Sequence, residues 1–229
     1  DMDIVSASYD DDTIAWYEND GNANPTFTAA DIATSADGAT SVFAADMDGD
    51  GDMDILSASY SDDTIAWYEN DGNANPTFTA ADITTSADRA IFVFAADMDG
   101  DGDMDILSAS ILDDTIAWYE NDGNANPTFT AADITTSADG AHSVFAADMD
   151  GDGDMDIVSA SYDDDTIAWY ETALAFTLTS STPATASNTV SLDSDITLTF
   201  DSPVKTSTLN ASNIVITGIN TGIISGTFS

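Results

Sequence analysis

A block of 51 residues repeats along this chain with almost no change. The segment DMDI opens copies at Asp1, Asp52, Asp103 and Asp154. TIAWYE recurs from Thr13, Thr64, Thr115 and Thr166, and NDGNANPTFTAADI from Asn19, Asn70 and Asn121. VFAADMDGDGDMDI recurs from Val42, Val93 and Val144, and the fourth copy departs from the pattern after Glu171. Self-similarity at such a period marks an array of units, each burying an apolar face against its neighbour. Differences between copies gather in two clusters. One follows SAS: Tyr9-Asp10, Tyr60-Ser61, Ile111-Leu112 and Tyr162-Asp163. The other precedes VFAAD: Gly38 to Ser41, Arg89 to Phe92 and Gly140 to Ser143. Both are expected to be connecting turns, where side-chain identity matters least to a core.

Within one block the local signals are all β. VFAA (42–45), DILSAS (54–59), TIAWYEN (64–70) and TFTAADITTS (77–86) are short runs rich in β-branched and aromatic residues. Turn residues separate them: Ser61-Asp62-Asp63, then Asn70-Asp71-Gly72-Asn73 with Pro76 beyond. Four short strands in such a block are the size of one propeller blade. No window sustains a 3.6-residue period, so almost no helix is expected. Trp16, Trp67, Trp118 and Trp169 fall in the third strand of each block. Packing between blades is the plain expectation for these large rings, and an exposed platform for sugar is the sharper one.

Acidic residues number 43 against two basic ones, a formal charge of −41. Such a chain repels nucleic acid and anionic membranes and attracts cations. There is no cysteine, so neither a disulfide nor thiol chemistry is available. No apolar run reaches the ~18 residues of a membrane span, and no signal peptide is present. Asp1 falls inside a motif that is complete elsewhere, so the N-terminus is not expected to be a natural boundary.

The charge is concentrated in one loop. In the copy at Asp46, the residues Asp46, Asp48 and Asp50 occupy positions 1, 3 and 5, with Gly51 at 6, Asp52 at 7 and Asp54 at 9. The same set recurs as Asp97, Asp99, Asp101, Asp103 and Asp105, and as Asp148, Asp150, Asp152, Asp154 and Asp156. Calcium takes six to eight oxygen ligands at about 2.3–2.6 Å, and alternate carboxylates on a tight loop can converge on one ion. The seventh position would offer its main-chain carbonyl. A helix-flanked EF-hand needs a Glu at position 12, but Ser57 stands there, inside a strand-like run. The ninth-position Asp is therefore expected to supply the missing carboxylate, in a β context. The alternative is a solvated acidic turn, which leaves five mutually repelling carboxylates unneutralised. Magnesium keeps its waters and its octahedral geometry, and transition metals favour His or Cys, of which the repeats hold one His. One calcium per complete loop is expected. The partial copy at Asp1 and Asp3 retains only the last two ligand positions, so it needs another segment to complete a site.

AADMDGDGDMDILSAS followed by DDTIAWYENDG resembles the FG-GAP-like (VCBS) repeats of bacterial secreted and surface proteins, related to those of integrin α-subunits. The resemblance implies β-propeller blades with calcium between the first two strands, held by Asp46, Asp48, Asp50 and Asp54 through side chains and Asp52 through its carbonyl. The Phe-Gly and Gly-Ala-Pro signatures of the integrin branch are absent, so an integrin-like ligand role does not carry over. STPATASNTVSLDSDITLTFDSPVKTSTLNASNIVITG (181–218) resembles a bacterial Ig-like domain of the type first described in an S-layer protein. Ile196, Leu198 and Phe200 alternate with Thr197 and Thr199, as in a sandwich strand. About 55 residues are fewer than the ~100 of a full sandwich, so this domain is expected to be partial. Asn210-Ala211-Ser212 has the form of a glycosylation sequon.

The expected fold is all-β: tandem four-stranded FG-GAP/VCBS blades over residues 1–172, as a β-propeller or part of one, then a partial Ig-like β-sandwich over 173–229. Ring, open stack and fibre all remain open for the repeats. The expected function is a calcium-stabilised extracellular adhesion or structural module on a bacterial or archaeal cell surface, in one version filament- or surface-layer-forming by self-association. Its partners would be calcium, with surface glycans or other surface proteins. The alternative is a carbohydrate-binding propeller using the repeat Trp and Tyr residues. An enzyme is not expected: His142 occurs in one copy only, Lys205 lies outside the repeats, and no Ser has a paired base.

Overall fold

A computed structural model describes residues 2–172 and, beyond them, 178–182, 197–200, 216–218 and 222–224. The chain divides into two compact units, Asp1–Thr172 and Ala173–Ser229. No helix occurs among the described residues, so none is long and apolar enough to cross a membrane.

The first unit holds fourteen strands in four antiparallel sheets. The first sheet is β1 (Ile4–Ser8), β2 (Thr13–Asn19) and β3 (Phe27–Ala33). The second is complete: β4 (Ala39–Ala45), β5 (Asp54–Ser59), β6 (Thr64–Asn70) and β7 (Phe78–Thr84), paired in that order. The third repeats it with β8 (Ala90–Ala96), β9 (Asp105–Ser110), β10 (Thr115–Asn121) and β11 (Phe129–Thr135). The fourth has β12 (Ala141–Ala147), β13 (Asp156–Ser161) and β14 (Thr166–Tyr170). Each sheet is a meander, so every link joins neighbouring strands and the repeat is one blade.

Burial follows position in the blade. DILSAS is buried throughout in β5 and β9, whereas the last strand, FTAADIT, is largely exposed. Consecutive sheets pack face to face. Leu56, Ile65 and Trp67 of the second sheet meet Val93, Ile106 and Tyr119 of the third in one core. Ile14 meets Ile55 and Tyr68 in the core between the first and second sheets, and Leu107 and Ile116 meet Val144 and Ile157 in that between the third and fourth, with Trp118 and Tyr170 partly buried against it. The opening strands are joined by a ladder of rings, with Phe43–Phe94 and Phe94–Phe145 centroids each 4.9 Å apart.

Two expectations need correction. The cluster before VFAAD is not a turn. Only Gly38, Arg89 and Gly140 lie in the connection, at φ +66°, +57° and +68°. Thr40-Ser41, Ile91-Phe92 and His142-Ser143 belong to the strands that follow. The register shifts there, between Ala39 and Ser41 in β4, so Thr40 is the extra residue of a bulge. Local alternation is broken at a bulge, which is why the strand start was hidden. The sugar platform also fails in the middle of the array. Trp67, Tyr68 and Tyr119 are 4–5 % exposed, and Trp67 packs edge-on against Phe129 of the next sheet at 6.3 Å. They fill the core because neighbouring sheets cover them.

In the second unit the described strands form two antiparallel pairs. β15 (Leu178–Thr182) pairs with β16 (Thr197–Phe200), and β17 (Ile216–Gly218) with β18 (Gly222–Ile224). Leu198 and Phe200 fall in β16, while Ile196 and the sequon at Asn210 lie outside the described residues.

Candidate metal centre

Each Asp-rich segment is the loop between the first and second strands of a blade: 46–53, 97–104 and 148–155. Its path is set by glycines with positive φ, +74° at Gly49 and +98° at Gly51, values recurring at Gly100, Gly102, Gly151 and Gly153. Nothing lies within 4 Å of a Cβ built on Gly49 or Gly51, so backbone conformation rather than space demands glycine here.

The carboxylates fold inward by accepting amides of their own loop. Asp46 accepts the Gly49 N–H at 2.9 Å through Oδ1 and the Gly51 N–H at 3.0 Å through Oδ2. Asp48 accepts the Asp50 N–H at 3.2 Å, and Asp50 accepts the Asp52 N–H at 2.9 Å. The other loops repeat every one of these bonds. The result brings one oxygen each from Asp46, Asp48 and Asp50 within 4.8 Å of one another, and likewise from Asp97, Asp99 and Asp101. Two ligands at about 2.4 Å from one ion stand at most ~4.8 Å apart. The spacing and the all-oxygen donor set therefore fit calcium.

The ninth-position Asp has a different setting. Asp54 is 1 % exposed. Its Oδ2 accepts the Met47 N–H at 3.1 Å and its Oδ1 the Asn70 N–H at 2.8 Å. Asp105 makes the same bonds to Met98 and Asn121. The three-oxygen group contains the ninth-position Asp only in the last loop, as Asp148, Asp150 and Asp156. The seventh-position Asp turns its side chain elsewhere. Asp52 lies against Gly72, and Asp103 against Gly123, where a Cβ would collide with the carboxylate. This leaves the seventh-position backbone carbonyl as the group that residue could offer an ion. In the partial copy, Asp3 accepts the Trp16 indole N–H at 3.0 Å and the Asn19 amide at 2.9 Å.

Electrostatics fit a cation. Burial raises the pKa of Asp48 and Asp99, and the neighbouring carboxylates at the first and fifth positions push further the same way. Burial also raises Asp54, and lifts Asp105 to about 6 against the amide bonds that hold it down. Asp156 departs from this: burial is its largest single influence, but hydrogen bonds from Thr172, Met149 and Trp169 together lower it. A positive ion offsets the cost of holding such groups charged.

Residues outside the DMDGDGDMD signature also build the centre. Asn121 is 2 % exposed, and its side-chain amide bonds the Met104 carbonyl of its own loop at 3.0 Å and the Met47 carbonyl of the preceding repeat's loop at 2.8 Å. One loop is thereby pinned to the next sheet. The β6–β7 loop is closed by Asp71, which accepts the Asn73 and Thr77 amides, both at 3.1 Å, and the Thr77 hydroxyl at 2.5 Å. NDGNANPT reads as a turn in sequence, and its invariance between copies was the available sign of more.

With the geometry in place, comparison with known families agrees. Residues 1–57, 48–108 and 97–159 match the profile of the FG-GAP-like repeat, and residues 172–228 match that of a bacterial Ig-like domain. The chain belongs to the FG-GAP-like repeat family, with its three matches followed by the Ig-like one. No curated protein matches it.

Proposed function

We propose that this chain is a calcium-stabilised extracellular repeat protein, an adhesion or structural module of a bacterial or archaeal surface. The observation that carries the reading is the threefold recurrence of a carboxylate group within 4.8 Å in the β-loop of consecutive blades. Asp46, Asp48 and Asp50, with the carbonyl of Asp52 and a lone pair of Asp54, would form one site, and their counterparts the other two. Each ion would close a loop between the first two strands, where a disulfide-free chain has no covalent staple. The blades over 1–172 would form one domain, and 173–229 a partial Ig-like domain following it in the sequence. Family membership supports an extracellular setting, since FG-GAP and bacterial Ig-like domains are typical of such proteins. The reading is non-enzymatic: His142 stands exposed on β12, in a single copy, with no second copy to repeat it.

Calorimetry with calcium and with excess EDTA tests the proposal. A ligand held at 100 to 1,000 times its Kd stabilises by about 2.7–4.1 kcal/mol per site, so chelation should lower Tm steeply and magnesium should not restore it. An unchanged Tm refutes it.

A sugar-binding reading keeps one foothold, a cleft of ≈ 300 Å³ lined by Asp3, Trp16, Glu18, Asn19, Asn73, Ala74 and Pro76. Glycan-array binding lost on Trp16→Ala would favour it.

A further inference from the structure

Two of the Asp-rich loops meet through one side chain. Asn121, 2 % exposed, lies between the loop 46–53 of the second sheet and the loop 97–104 of the third. Its Oδ1 accepts the Gly123 N–H at 3.0 Å, which turns the two protons of Nδ2 the other way. One goes to the Met47 carbonyl at 2.8 Å and the other to the Met104 carbonyl at 3.0 Å. Its backbone N–H goes to Oδ1 of Asp105 at 2.8 Å.

These bonds run unbroken from one loop's ninth-position carboxylate to the next. Oδ2 of Asp54 accepts the Met47 N–H at 3.1 Å, the Met47 carbonyl holds Asn121, and Asn121 holds Asp105. Met47 stands between Asp46 and Asp48, and Met104 between Asp103 and Asp105, so each carbonyl belongs to a residue flanked by expected ion ligands. The following junction is built differently. Thr172 stands where the repeat places Asn121. Its N–H makes the matching bond to Asp156 at 3.0 Å, and its hydroxyl gives its proton to the Met155 carbonyl at 2.7 Å. A hydroxyl has one proton to donate, so none is left on that side chain for the loop 97–104.

We propose that Asn121 couples the sites at 46–54 and 97–105, so that calcium held in one raises the affinity of the other, while the site at 148–156 binds without that help. The inference rests on the calcium reading above and names the regulation of those sites. An ion fixes the backbone of its loop, and fixing Met47 or Met104 fixes Asn121. The partner loop then has less conformational freedom to lose when its own ion arrives, which makes the coupling positive. Coupling between sites is worth about 5–150-fold in affinity. Asn121 acts as a positioning residue: it holds two loop carbonyls and one carboxylate and does not touch the ion.

Calcium titration of the full 229-residue chain tests this, followed by the amide NMR signals of Gly51, Gly102 and Gly153. Each of these N–H groups bonds the first-position Asp of its own loop, so each loop is read separately. Asp99→Asn with Asp101→Asn disables the middle site. Each new Asn keeps an oxygen for the amide its Asp accepted. The two charges removed equal those a bound calcium neutralises, so the field on the loop 46–53 stays that of the loaded chain. The Gly51 midpoint should then rise about fivefold or more, and the Gly153 midpoint should stay within about twofold. Asn121→Thr copies the arrangement at Thr172, which the fold already accepts. In that background, loss of the middle site should leave the Gly51 midpoint within about twofold. A merely structural Asn121 would weaken the sites by the same factor whether or not the middle one is filled. A Gly51 midpoint indifferent to the middle site in the parent chain overturns the proposal. So does coupling that survives Asn121→Thr, or a Gly153 midpoint that moves as far as that of Gly51. If no loop glycine responds to calcium, the calcium reading itself fails, and the coupling with it.

Discussion

The two ends of each blade obey different rules. At one end lie the Asp-rich loop and the β6–β7 loop, and their equivalents are identical in every complete copy. At the other lie the β5–β6 turn and the link from β7 to β8. Seven of the 51 positions differ among the first three copies, and only the pair typified by Val5 and Leu56 is away from that second end. The other six begin at Tyr9, Asp10, Ala33, Gly38, Thr40 and Ser41. The reason is which part of the residue makes the bonds. At the variable end the backbone does: the Tyr60 N–H bonds the Gly38 carbonyl at 2.9 Å, and the Ile111 N–H bonds the Arg89 carbonyl at 3.2 Å although both residues have changed. At the loop end side chains do, through carboxylates that accept amides and could hold an ion. A fixed part of the variable end confirms the rule. Asp63 keeps φ +58° and accepts the Arg89 N–H through its carboxylate at 2.8 Å, and its counterparts are Asp in every copy.

The largest contrast should come from Asp105. Asp105→Ala strands the buried amides of Met98 and Asn121, and each lost partner costs about 1–3 kcal/mol. A loss of ~3 kcal/mol in urea unfolding is expected. Leu112→Ala, at the opposite end and 52 % exposed, should stay within about 0.5 kcal/mol. Equal effects would erase the distinction between the ends.

Glycines grade the loop end itself. Gly102 sits at φ +101° in open space, so Gly102→Ala pays only for backbone strain, about 1–2 kcal/mol. Gly123→Ala, at φ +65°, must also push the Asp103 carboxylate aside and should cost more. If Gly102→Ala proves the costlier, the Asp103 contact is not part of what fixes the loop.

Much of this was legible in sequence because blade and period coincide: each run of β-branched and aromatic residues became a strand of the expected sheet. The Asp spacing likewise announced the three-oxygen group. What stayed hidden depends on contacts between residues far apart. Asn121 reaches Met47 across the sheet boundary, and no local pattern distinguishes it from any turn Asn. The burial of Asp54 is another case, since DMD looks equally solvated at all its acids until β5 is placed between β4 and β6. The bulge at Thr40 was missed because its period-2 signal is interrupted where the strand begins.

A finer difference is visible in acid. Asp122 is fully exposed yet held at about 2, chiefly by the Thr128 hydroxyl, then the Thr128 amide and Asn124. Its ordinary value is 3.8, so the folded value is depressed. Its contribution is present above 3.8 and is lost as pH falls through about 2. Thr128→Val should move the Asp122 carboxyl back toward 3.8 in an NMR titration. A midpoint still near 2 in that variant would mean that the amides alone set it.

The smallest effect is expected where the variable end departs furthest from its neighbours. Arg89 replaces the Gly of the other copies at φ +57°, a conformation that costs a side chain about 1–2 kcal/mol. Against this, glycine gives up roughly 0.5–1 kcal/mol more chain entropy on folding. The Arg89 guanidinium also lies 5.3 Å from the Tyr60 ring centre, a contact worth about 0.5–1 kcal/mol at an exposed site. The backbone bonds to Asp63 and Ile111 survive the exchange, because neither uses the side chain. Arg89→Gly should therefore change unfolding stability by less than about 0.5 kcal/mol, since the relieved strain nearly equals the two losses. A destabilisation several times larger would show that the Arg89–Tyr60 contact holds the turn, and that side chains govern this end as well.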